Sequence, residues 1–179
     1  MKKTVWTFGL TAGSIFVILM LTAAALENRI SSDAGEILGY TTMLAAFLMV
    51  YFGVRSYRDR VLNGTIGFGR AFKVGLLISL IASFCYVATW EVVYYSFMPD
   101  FSDKYAAKVI EKTKASGKSE AEVAEQTRKM EEFKVQYKNP LINIAYTFVE
   151  VFPVGLIVVL ASAGFLSRRP LAPGEPSVA

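Results

Sequence analysis

The sequence predicts an all-α integral membrane protein with four transmembrane helices and an extracytoplasmic amphipathic helical hairpin between the third and the fourth. Three observations predict it. Of the 179 residues, 54% are hydrophobic, and they fall in blocks of about 20 with the charges between blocks. The cations crowd one set of block ends. One long charged stretch repeats apolar residues at helical spacing.

The first block runs from about Val5 to Leu26, after Lys2 and Lys3. A helical residue rises about 1.5 Å, so a block of about 20 crosses roughly 30 Å of hydrocarbon. Helix is the open-chain form that satisfies its own backbone hydrogen bonds there. Lys2, Lys3, the apolar run and Ala23-Ala24-Ala25 also imitate a secretory signal with its cleavage site. The run is long for a signal core, so a retained span is expected. A short polar turn, Glu27 to Glu36, leads to a second block from about Ile37 to Val54. A basic loop, Arg55 to Lys73, precedes the third block, from about Val74 to Phe97. A charged segment then reaches Asn139. The fourth block runs from about Pro140 to Leu166, before Arg168, Arg169 and a Pro-rich tail, 170–179, expected to be disordered. The whole chain, 1–179, reads as a single membrane domain with 100–139 as an insertion.

Orientation follows from the short flanks. Lys2, Lys3, Arg55, Arg58, Arg60, Arg70, Lys73, Arg168 and Arg169 collect on one side, against Asp59 and Glu175. The turn opposite carries Arg29 against Glu27, Asp33 and Glu36. Lysine and arginine bias puts the basic side, with both termini, in the cytoplasm. The location expected is the inner membrane, crossed in several passes.

The segment Asp100 to Asn139 reads as two amphipathic helices. Tyr105, Val109 and Ile110 share one face of the first. Ser116-Gly117 breaks the pattern, and Ser119 with Glu122 forms a capping box for the second. Val123, Met130, Phe133 and Tyr137 recur along that helix. Each stripe is thin, so the two are expected to pack on each other or on the bundle, or to meet a protein partner.

Several function classes recede. With no histidine and one cysteine, Cys85, the common zinc and haem ligand sets and an internal disulfide are missing. No cofactor or metal is expected. The formal charge of +4 is accounted for by span-end cations, so nucleic acid is not expected as a partner. The stretch Asn63 to Gly69 is glycine-rich, but no strand precedes it and no lysine follows in P-loop spacing. It reads as a bend with Phe68 and Phe72 in the headgroups and Arg70 and Lys73 toward anionic lipid. No nucleophile, base and oxyanion group line up, so an enzyme is not expected.

Residues inside the spans carry the remaining signals. Gly9 and Gly13 form a GxxxG spacing, and Gly75, Ser79 and Ser83 recur every four residues. Small-residue stripes let membrane helices approach closely. Pro153, followed by Gly155, predicts a kink in the fourth span. Glu91 is expected near the outer interface, at the depth of Asn143, as a polar pair. Glu150 falls roughly 15 Å into the fourth span. An acid there is expected to face the bundle, with Ser14, Ser83 and Tyr86 as hydrogen-bond partners.

The chain resembles the bacterial membrane family catalogued as domain of unknown function 4199. The resemblance rests on the four spans, on Gly67-Phe68-Gly69-Arg70-Ala71-Phe72-Lys73-Val74-Gly75 entering the third, on the charged segment, and on Glu150-Val151-Phe152-Pro153-Val154-Gly155 in the fourth. It implies the architecture and an inner-membrane location, and assigns no residue a role. Two functions stay open: a structural or interaction (accessory) membrane protein, and a small oligomeric transporter or channel protomer using Glu150.

Overall fold

A computed structural model describes residues 1–25 and 32–168. Leu26, the first half of the expected polar turn, Arg169 and the Pro-rich tail lie outside the described residues. The elements are α1 (Lys2–Ala25), α2 (Ser32–Val61), α3 (Phe68–Ser96), α4 (Phe101–Ala115), α5 (Glu120–Tyr137) and α6 (Pro140–Ser167), with no strand among the described residues. Helices α1, α3 and α6 are long and apolar enough to cross a membrane.

The helices outrun their apolar blocks. The expected basic loop, Arg55 to Lys73, is mostly helical: α2 continues through Val61 and α3 begins at Phe68. Charge does not end a helix, and arginine is a good helix former. Arg55 pairs with Asp59 one turn on, at 3.5 Å, and the Arg58 Nε–H donates to the same carboxylate at 2.6 Å. What stops α2 is backbone geometry. Asn63 and Gly64 take φ of 52° and 90°, a left-handed turn that favours glycine and asparagine. Only 62–67 is a connection.

The chain forms two compact units. The first comprises the described residues of 1–89 and 148–168. In it α1 lies against α2, and glycines set the other contacts. A Cβ added to Gly9 would lie 2.9 Å from Ile81, and one on Gly13 2.6 Å from the Cys85 Sγ. Real Cβ atoms do not come so close, so α1 and α3 meet there by backbone approach. Gly75 faces Val50, Val54 and Val159, while Gly155 faces Ser79 and Phe47. These pairings fix direction. Numbers rise together along α1 and α3, and run opposed between α3 and both α2 and α6. Phe16, Phe47, Val50, Val54, Val74, Ile78, Val151 and Val159 fill the core. Phe16 meets Phe47 and Tyr86 edge-on, at 5.3 and 5.0 Å.

The second unit is Trp90–Thr147. Here α4 and α5 run antiparallel. Tyr105 meets Phe133 at 5.6 Å, Phe101 meets Tyr137 at 6.1 Å, and Lys134 reaches Asp103 at 3.3 Å. The turn between them uses Gly117 at φ 71°. The expected capping box is present: the Glu122 N–H donates to the Ser119 hydroxyl, and the Ser119 N–H donates to the Glu122 carboxylate at 3.0 Å. On α4 the covered face centres on Ser102, Ala106 and Thr113, with Tyr105 at its exposed edge.

Candidate functional site

Three polar groupings sit on these helices: a hydroxyl seam in the first unit, a lone acid on α6, and an aromatic-polar cluster in the second unit.

The seam runs along α3. Ser79 and Ser83 are fully buried, and neither hydroxyl has a hydrogen-bond partner among the described residues. Gly75 and Gly155 flank Ser79. The small-residue spacing seen in the sequence therefore lies at helix contacts within the chain. Gly9 and Gly13 do the same between α1 and α3. Their glycines are buried because any side chain would push the helices apart.

Glu150 departs from its expected setting. Its side chain is exposed, and it makes no hydrogen bond or ion pair with any described residue. Ser14 is exposed on α1 and Ser83 is buried in the seam, while Tyr86 packs edge-on to Phe16. The structure does not bring these four together. The physical reason is that α6 is apolar around most of its circumference, so hydropathy could place the depth of Glu150 but not its azimuth. Pro153 lies inside α6 without ending it, exposed on the same side as Glu150, while Gly155 turns inward.

Glu91 and Asn143 also part from expectation. Asn143 is fully buried in the first turn of α6 and serves the α5–α6 junction: its Nδ2 donates to the Tyr137 carbonyl at the end of α5 at 3.4 Å, and its Oδ1 accepts from the Thr147 hydroxyl at 3.2 Å. Glu91 is half-buried, and its Oε1 is buried with no hydrogen-bond partner. The two do not bond. Depth counting put them level, but a side chain at a helix start is claimed first by the backbone groups left open there.

No spacing in the sequence joins the third grouping. Trp90, Tyr94, Phe101, Phe133 and Tyr137 form a continuous set of ring contacts. Trp90 meets Phe101 at 4.8 Å, Tyr94 meets Tyr137 at 5.4 Å, and Phe133 meets Tyr137 at 4.9 Å. The Trp90 Nε1–H donates to the Tyr137 hydroxyl at 2.8 Å. The Tyr95 hydroxyl donates to the Lys138 carbonyl at 3.4 Å. One signal was available: tryptophan and tyrosine dense near a span end mark an interfacial belt.

Much of the charge on α5 pairs along the helix. Arg128 forks onto Glu125 at 2.9 Å and reaches Glu132 at 2.6 Å. Hydrogen bonds from Ser119 hold the Glu122 carboxyl below its ordinary range. Those from Arg128 and Lys129 lower Glu125 likewise. The Glu131 carboxylate, with Asp103, raises Lys134. Among the described residues, no three of His, Cys, Asp or Glu gather as a metal site.

Comparison with known proteins adds one finding. The family model described as a protein of unknown function (DUF4199) matches residues 7–168. No curated protein and no solved structure matches the chain.

Proposed function

The chain belongs to the DUF4199 family of proteins of unknown function, and from that premise we propose that it is a four-pass inner-membrane protein acting as an accessory or interaction subunit. Both termini lie in the cytoplasm, and α4 with α5 stands on the far side. The antiparallel alignment of α2 with α3 is the observation that supports the fourth crossing. Gly75 of α3 meets Val50 and Val54 of α2, so α2 lies alongside a helix that itself suits a membrane. The uncharged run Ile37 to Val54 is about 27 Å long as a helix, close to the hydrocarbon thickness.

The charged α4–α5 pair is the partner surface in this reading. Its rings are spent on internal contacts, and its charges face outward. Val135 breaks that outer surface as an apolar side chain 74% exposed. A photo-crosslinking residue at Val135 tests the reading in intact cells. A single discrete adduct with another protein is expected there, and no adduct from the same residue at Ile37, which faces lipid in this account. Adducts at neither position would overturn the accessory role.

The exposed position of Glu150 favours a second reading, a protomer of a small oligomeric transporter or channel. A carboxyl at that depth is costly against lipid, and assembly would cover it.

A further inference from the structure

We propose that Glu150 is one half of a two-fold symmetric contact between two copies of this chain, in which the Glu150 side chains and the Val149 carbonyls of the two α6 helices satisfy each other inside the membrane. The inference rests on α6 crossing the bilayer, as proposed above.

Two independent features put unsatisfied polarity on this face. The first is the acid. Glu150 sits about 5 Å from the midpoint of α6 along its axis, exposed and without a partner among the described residues. The second is backbone. Pro153 has no N–H, so the Val149 carbonyl loses the donor that a helix normally supplies four residues on. Val149 is itself 68% exposed, next in sequence to the acid. Lipid satisfies neither group.

A second copy satisfies both. A carboxyl that carries its proton is a donor and an acceptor at once. A two-fold contact sets the same patch on both partners, so each Glu150 meets its twin or donates to the twin's Val149 carbonyl. A basic partner is the other way to cover an acid. Within this chain, though, the lysines and arginines of α1, α2 and α3 lie toward helix ends, α6 itself holds none, and Arg168 follows it. The surface toward the C-terminal end of the same face suits close approach. Ile157 is 67% exposed, Ala161 is exposed, and a Cβ on Gly164 would meet nothing within 4 Å. Gly155 is tight inside the chain; Gly164 is free for a neighbour.

Cross-linking in native membranes tests this. In a Cys85→Ser background, Ile157→Cys is expected to give a covalent dimer at least about tenfold more readily than Ile18→Cys, which is exposed on α1. Adding Glu150→Leu should cut the Ile157→Cys dimer about tenfold, while Glu150→Gln, whose amide also donates and accepts, should keep it. Equal yields at Ile157→Cys and Ile18→Cys would overturn the contact. So would an undiminished dimer in Glu150→Leu, or a loss in Glu150→Gln as large as in Glu150→Leu. Labelling from either side of the membrane reports topology separately, so a failed dimer in a correctly threaded chain counts against this inference alone.

Discussion

The Trp90 indole donates to the Tyr137 hydroxyl at 2.8 Å, tying the C-terminal turns of α3 to the last turn of α5. Tyr137 is 6% exposed, and four other rings crowd these two. Tyr137→Phe keeps the rings and leaves the indole N–H without its acceptor, at a cost of about 1–3 kcal/mol. Trp90→Phe removes the donor and costs a comparable amount. The double variant should cost less than the sum, because one bond is lost once. Unfolding in mild detergent measures this. Strict additivity would show that the bond contributes nothing.

Ser119→Ala should loosen the first turns of α5 by about 1 kcal/mol, the usual worth of such a cap. Amide exchange across Glu120 to Thr127 should quicken while α1 and α3 keep their protection. Exchange unchanged in α5 would contradict the cap.

The same cap should be acid-sensitive. Hydrogen bonds from Ser119 lower the Glu122 carboxyl below its ordinary value. A lowered acid adds stability above its unfolded-state pKa and loses it as pH falls through the folded one. Protection of α5 should therefore hold at neutral pH and decline below about 4, the ordinary carboxylate range. Ser119→Ala should flatten that decline. A pH profile identical in both forms would contradict the linkage.

Gly155 and Gly164 should respond oppositely to the same change. A Cβ on Gly155 would run into the Ser79 hydroxyl and the Phe47 ring, whereas one on Gly164 meets nothing within 4 Å. Gly155→Val is expected to destabilise the monomer by about 1–3 kcal/mol, as overpacking does. Gly164→Val should leave the monomer within about 0.5 kcal/mol. Thermal unfolding in detergent compares them, and equal losses would refute the packing assigned to α6.

What the sequence made legible was whatever depends on composition and local spacing. The apolar blocks became α1, α3, α6 and the middle of α2, and Ser119 with Glu122 became the cap of α5. The glycine and serine spacings marked helix seams. Azimuth was not legible: α6 is apolar nearly all round, so nothing in its pattern says that Glu150 faces outward and Gly155 inward. Tertiary ring contacts were not legible either. Trp90 and Tyr137 stand 47 residues apart, and no periodicity links them. The extension of α2 past Arg55 was hidden because charge ends an apolar block, not a helix.

Side-specific labelling of three single cysteines tests the four-pass account most directly. In a Cys85→Ser background, Asp33→Cys, Thr65→Cys and Lys118→Cys are each treated in intact cells whose outer barrier admits a membrane-impermeant maleimide. Asp33→Cys precedes the apolar run of α2, Thr65→Cys lies between α2 and α3, and Lys118→Cys lies between α4 and α5. The account predicts labelling at Asp33→Cys and Lys118→Cys, and labelling at Thr65→Cys only after the membrane is opened. Labelling of Thr65→Cys in intact cells, or protection of Lys118→Cys, would contradict it.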